Sequence, residues 1–208
     1  MLLYGTAGAM KSWMAEYIGW CIATGTEWLT FKTTQARTLL VNFEISSLGY
    51  YWRLRNMSKN FVLPDELSLY EASPGMMPLE DDKVFKKFAE DVNTVEPRVI
   101  IMDCFQGFFS GNDSATEEVS PLLLNLTELK KQNGASLIIV HHANKNELAN
   151  SPMARARGTT KLVGWVDTVV RLVEQPKGRQ LQFEKYRMSA FELHPLNVKF
   201  EDYIFEVK

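Results

Sequence analysis

Little in this 208-residue sequence is extreme, and its scarcities narrow the field. Cysteine occurs only twice, at Cys21 and Cys104, far apart and without metal-binding spacing. Each stands among apolar neighbours, which predicts reduced core thiols and a cytoplasmic setting. No apolar run is long enough to span a bilayer, so no transmembrane helix and no membrane partner are expected. The opening MLLYGTAGAMKS lacks the basic-then-apolar layout of a secretion signal. Neither charge dominates: 23 Lys and Arg against 25 Asp and Glu give a net charge of -2. That balance argues against a wholly basic nucleic-acid-binding domain, and any such contact must come from local clusters. There is no internal repeat and no low-complexity segment.

What remains is ordinary for a globular protein, with 46% hydrophobic and 23% charged residues. The length suits one sizeable core, so residues 1–208 are expected to form a single domain, either a minimal protein or a fragment of a longer chain. Apolar strand-like runs alternate with helical patterns, which predicts an α/β fold with a mainly parallel sheet flanked by helices on both faces. Strands are expected at Leu2 to Tyr4, Thr38 to Phe43, Leu67 to Tyr70, Arg98 to Met102 and Ser136 to Val140. Helices are expected at Lys11 to Thr24, Leu48 to Met57, Asp81 to Val92 and Ala115 to Gln132. The first should bury one stripe of Met14, Tyr17, Ile18, Cys21 and Ile22. The second half reads as strands at Trp165 to Val173, Arg179 to Lys185, Asn197 to Phe200 and Tyr203 to Val207, an antiparallel end to the sheet. Two polar loops, Gln106 to Ser114 and Ala143 to Gly158, follow strands, where ligands bind in open α/β sheets.

The segment Gly5-Thr6-Ala7-Gly8-Ala9-Met10-Lys11-Ser12 follows a strand and opens a helix, the context that a Walker A phosphate loop requires. Backbone N–H groups and a helix N-terminus cradle phosphate oxygens. Lys11 brings a positive charge to the β- and γ-phosphates, Ser12 offers a hydroxyl to Mg²⁺, and Trp13 directly follows as a further nucleotide contact. Met10 stands where the pattern has its last glycine, and helical dihedrals with an averted side chain would accommodate it. The alternative is a Gly- and Ala-rich turn with no ligand, and Met10 is its main support.

Asp103 follows the apolar run VIIM, a Walker B pattern that places a carboxylate beside the phosphate loop to hold the Mg²⁺ shell. Glu44 ends another strand, positioned to activate water as a general base, or else to sit solvated at the strand end. His141 and His142 follow SLIIV, where a histidine can donate to the γ-phosphate or bond to backbone. Spacing does not separate the two, and His142, further past the strand, is preferred. A metal site there is disfavoured, because no nearby Cys and no Glu at helical spacing accompany the pair.

The order of a phosphate loop, a strand-end Glu, a Walker B Asp and a strand-end His resembles the RecA-like P-loop NTPases. Within that superfamily the chain looks closest to the motor domain of DnaB-type and plasmid RepA-type hexameric replicative helicases. The segment running from Arg157 to Leu172 is similar to their Arg-Gly-small-small stretch, short helix and Asp-led strand. Phe183-Glu184-Lys185-Tyr186-Arg187 is similar to their Lys-x-Arg pair. The resemblance implies an ATP-hydrolysing, Mg²⁺-dependent motor on single-stranded DNA, assembled as a homo-oligomer, a hexameric ring. It implies that Lys185 and Arg187 act on the γ-phosphate of the adjacent subunit. It also places Lys145, Arg155 and Arg157 on a DNA-contacting loop, where cations would neutralise backbone phosphates. Phe108 and Phe109 in the earlier loop would stack on bases or anchor the loop in the core. The alternatives are a RecA-, RadA- or KaiC-like ATPase forming filaments or rings without unwinding, and a degenerate nucleotide-binding scaffold. A small-molecule kinase shares the phosphate loop but gives no reason for Glu44, His142, Lys185 and Arg187.

Overall fold

The computed structural model describes residues 1–60, 69–72, 75–143 and 160–208. Apolar runs form strands because burial on both faces rewards side chains pointing either way. They are β1 (Leu2–Gly5), β2 (Thr38–Asn42), β3 (Leu69–Ala72), β4 (Val99–Asp103) and β5 (Ser136–His142). Between them run α1 (Lys11–Thr24), α2 (Ser47–Met57), α3 (Asp82–Val95), the short α4 (Phe105–Phe108) and α5 (Thr116–Asn133). After α6 (Thr160–Trp165) come β6 (Thr168–Gln175), β7 (Gly178–Tyr186), β8 (Leu196–Glu201) and β9 (Ile204–Val207).

The strands form one nine-stranded sheet in the order β3-β2-β4-β5-β1-β6-β7-β8-β9. Pairing is parallel from β3 through to β6 and antiparallel from β6 to β9. One core joins Leu2, Val41, Ile100, Met102 and Ile139 to apolar residues of α3, α5 and α6. The opposite core joins Leu3, Leu40, Ile101 and Val140 to α1 and the β8–β9 hairpin. This is the RecA-like P-loop NTPase fold: a mainly parallel sheet flanked by helices, with antiparallel strands at its C-terminal end.

Several local expectations need correction. Helix α1 is buried over most of its surface, Glu16, Gly19 and Trp20 included, and not along one stripe. The reason is a second covering layer, with Tyr17 packing on Phe205 at 6.1 Å and Trp13 on Phe200 at 5.2 Å. Trp165 ends a helix and does not begin a strand. The polar stretch after β4 opens with α4, and Phe108 and Phe109 are buried against Phe43 and Phe105, unavailable to bases. The expected loop Ala143 to Gly158, with Lys145, Arg155 and Arg157, lies outside the described residues except for Ala143. Among the described residues, no helix is long and apolar enough to cross a membrane.

Candidate functional site

Strand polarity brings the ends of β1, β2, β4 and β5 to one rim, and the candidate residues follow from it. Ala7, Gly8, Met10, Lys11, Ser12, Trp13, Glu44, Arg53, Asp103, Cys104 and His142 line a cavity of about 310 Å³ there. That lies near the lower end of ligand-pocket volumes. A larger depression of about 700 Å³ lies at the opposite rim among Arg37, Asn93, Glu96, Arg98, Gln132 and Asn133. It gathers no nucleophile or phosphate loop, so the smaller cavity is the one with chemistry.

The phosphate loop is built by close packing at its stem. A Cβ on Gly5 would lie 2.4 Å from the Leu172 carbonyl oxygen of the neighbouring β6, so only glycine fits. Thr6 turns its carbonyl inward, accepting from the Ala9 N–H at 3.3 Å and from Lys11 Nζ at 2.8 Å. Ala9 is buried in the core beneath the loop. Gly5, Thr6 and Ala9 therefore shape the cavity, whereas Ala7, Gly8 and Met10 to Trp13 line it. Met10 corrects the expectation of ordinary helical dihedrals: its φ of 72° and ψ of 32° lie in the left-handed region. That conformation costs a side-chain-bearing residue about 1–2 kcal/mol. Met10 is also the N-cap of α1 and supplies no side-chain acceptor. First-turn N–H groups of α1 thus have no side-chain cap, the arrangement that favours an anion.

Lys11 is buried between Asp103 and Glu44. Burial lowers its pKa below the usual lysine value, while the two carboxylates oppose that shift. Its Nζ also lies 3.4 Å from His142 Nδ1. Asp103, the last residue of β4, is pushed up to about 6 by burial, opposed by a hydrogen bond from Ser12 and reinforced by Glu44. Its Oδ1 is buried with no hydrogen-bond partner among the described residues. An orphaned carboxylate oxygen beside a serine hydroxyl fits the hard-oxygen shell of Mg²⁺.

Glu44 lies two residues beyond β2 and is exposed to solvent at the cavity mouth. The buried Asn42 sets its position. Asn42 Oδ1 accepts the backbone N–H groups of Glu44 and Ile45, both at 3.1 Å, and Nδ2 donates to the Ile45 carbonyl at 2.7 Å. The two histidines separate cleanly. His141 is buried, with Nδ1 3.3 Å from Gln106 Nε2 and its ring 4.7 Å from Phe105, whereas His142 lines the cavity. Both lie within β5 and not beyond it.

Three contributors to the site carry no motif that marks them as such in the sequence. Arg53, on exposed α2, reaches the cavity by pairing with buried Glu16 at 3.0 Å and lying 5.0 Å over the Trp13 ring. Burial lifts Glu16 to about 8 despite that partner. Asn42 precedes Glu44 by two residues, a spacing whose turn-forming character was legible in principle. Cys104 is buried, as expected, yet its thiol borders the cavity, and burial and the Glu44 and Asp103 carboxylates raise its pKa to about 12.

Lys185 and Arg187 lie elsewhere. Lys185 Nζ donates to the carbonyls of Val163 at 2.6 Å and Gly164 at 3.1 Å, and also to that of Val166. Burial lowers its pKa. Arg187 donates to the Gly164 carbonyl at 2.9 Å and pairs with Asp167 at 3.4 Å. Both hold the end of α6, and neither lines the phosphate-loop cavity.

Comparison with known proteins adds two findings. The crystal structure of the RadB recombinase superposes with a TM-score of 0.70 at 15% identity, covering 99% of this chain and 88% of that one. At that identity the likeness concerns fold alone. No curated protein sequence matches. The family model described as AAA domain matches residues 1–147, taking in the phosphate loop, Glu44, Asp103 and His142, and the chain belongs to that AAA domain family.

Proposed function

We propose that this chain is an ATP-hydrolysing motor on single-stranded DNA, the ATPase core of a hexameric replicative DNA helicase. The observation that carries the hydrolase reading is convergence: Lys11, Ser12, Glu44, Asp103 and His142 come from four strand ends to one cavity. Lys11 and the loop N–H groups bind the phosphates of ATP. Ser12 and Asp103 would hold Mg²⁺, which would neutralise the charge that develops on the transferring phosphate. Glu44 takes a proton from the attacking water. His142 donates to the γ-phosphate, and Trp13 bounds the nucleotide on the side of Arg53. The carry-over from the helicase resemblance assigns Lys185 and Arg187 to a neighbouring subunit's γ-phosphate, which agrees with their distance from this chain's own cavity. It assigns Lys145, Arg155 and Arg157 to DNA backbone contacts.

A second reading has its own support. The likeness to a recombinase favours a RecA-type ATPase that forms filaments or rings without unwinding. The test is ATP turnover with and without single-stranded DNA, with oligomeric state measured in parallel. The motor reading expects turnover to rise with DNA and with protein concentration. Strand displacement against strand exchange then separates helicase from recombinase. Failure to bind millimolar ATP with Mg²⁺ would leave a scaffold and end both readings.

A further inference from the structure

We infer that Glu44, Cys104 and His142 form a second cation site, distinct from the Ser12–Asp103 pair and suited to zinc(II). A carboxylate oxygen, a thiol sulfur and an imidazole nitrogen from these residues all lie within 4.8 Å of one another. The sheet explains the meeting. Glu44 follows β2, Cys104 follows β4 and His142 ends β5, and β2, β4 and β5 are consecutive in the strand order. Zinc bonds of about 2.0–2.3 Å set donors roughly 3.5 Å apart, so a modest inward adjustment completes the site. The exposed Glu44 side chain, already hydrogen-bonded to the Cys104 thiol, supplies most of that adjustment while Asn42 holds its backbone.

The donor set decides which cation. Thiolate and imidazole suit a borderline-soft ion and disfavour Mg²⁺, which demands oxygen ligands and stays with Ser12 and Asp103. Three protein ligands leave a fourth position for water or a phosphate oxygen. On binding, the Sγ–H bond of Cys104 breaks, its proton passes to solvent, and an Sγ–Zn bond forms. No electron moves. With Glu44 engaged and His142 drawn from Lys11, water activation stops. Zinc thereby acts as a reversible brake. The brake rests on the hydrolase reading above, whereas the binding does not.

The test uses the whole chain, nucleotide-free, titrated with cobalt(II) as a spectroscopic stand-in and competed with zinc(II). A thiolate-to-cobalt charge-transfer band is expected in the wild type and in C21S, and its absence is expected in C104S. Zinc affinity of C104S should fall at least about 100-fold, the upper end of what losing even an outer-shell partner costs. Thermal melts verify the fold. Should C104S not fold, H142Q, which keeps the thiolate, is expected to bind cobalt and zinc at least about 10-fold more weakly, unchanged affinity overturning the site. A band that persists in C104S, moves to dependence on Cys21, or never forms overturns the site. Zinc that binds through Cys104 without slowing a measurable Mg-ATPase overturns the brake and leaves the site. A wild type with the band but no hydrolysis overturns the hydrolase reading and the brake with it, leaving the site intact.

Discussion

Lys11 Nζ and His142 Nδ1 stand 3.4 Å apart across the mouth of the phosphate loop. An ammonium has only protons to give, so Nδ1 accepts and the imidazole keeps its proton on Nε2. In that tautomer Nε2 is the donor atom, and on the proposed reading it is the one that serves a phosphate oxygen. His142→Ala is expected to lower ATP turnover about 10²-fold, the usual cost of one lost donor to developing charge. Lys11→Ala should instead abolish nucleotide binding. Turnover and nucleotide Kd, measured together, check this, and an equal loss of affinity in both variants would sink the division of roles.

The turn held by Asn42 gives a graded pair. Glu44→Gln should retain ATP binding and lose about 10²–10⁴ in turnover, the range for a missing general base. Asn42→Ala removes the acceptor for two N–H groups and loosens the loop without touching the carboxylate. It should lower kcat by a smaller factor with KM unchanged. A rise in KM alone would show that Asn42 serves binding and not the placement of Glu44.

Met10→Gly tests the left-handed position in the loop. Relief of the φ of 72° favours the variant, while the extra freedom of an unfolded glycine opposes it. The net gain in stability should stay below about 1 kcal/mol. Nucleotide affinity should tighten, because the side chain that lines the cavity is gone. Weaker binding in the variant would mean that Met10 itself holds the nucleotide.

Asp103 links stability to pH. Its carboxyl is lifted from an ordinary 3.8 to about 6 in the folded state, so folding favours its neutral form. Stability from this group is complete at acid pH and is lost as pH rises from the lower value through the higher one. Asp103→Asn should remove that slope and stabilise the protein by about 3 kcal/mol at neutral pH, while weakening Mg-ATP binding. Denaturant midpoints across that pH range check the slope. A variant less stable than wild type at neutral pH contradicts the burial argument.

The assignment of Arg187 to a neighbouring active site predicts complementation. Arg187→Ala keeps its own phosphate loop and lacks the finger, whereas Glu44→Gln keeps the finger and lacks the base. Each should be nearly inactive alone, and a mixture should recover a substantial share of wild-type turnover. If the mixture is no better than the sum of its parts, Arg187 only holds the end of α6.

How much of this was legible in the sequence depended on whether the signal was local. Buried parallel strands are written as apolar runs, and VIIM before Asp103 or SLIIV before His141 could be little else. The phosphate loop, too, is local, because its spacing fixes which atoms face the ligand. Arg53 depends on a partner 37 positions away in sequence, which α2 taken by itself cannot disclose. The two-sided burial of α1 depends on a hairpin formed by the last strands of the sheet. Trp165 joined an apolar run that served equally as helix end or strand start. The apolar neighbours of Cys104 predict a core thiol, and it is buried, but nothing local discloses that its sulfur borders a cavity.

The strand order also has a mechanical meaning. Strand β1 is four residues long, yet it is gripped on one side by β5 and on the other by β6. The former ends at His142, and the latter continues through a hairpin to Arg187. Neighbouring strands lie only about 4.8 Å apart, so β1 and the loop that follows it are the keystone between two arms, one ending at the cavity and one ending where Arg187 holds α6. On the hydrolase reading, a tilt of that keystone with the gain or loss of a phosphate would be felt by both arms together, with no hinge required.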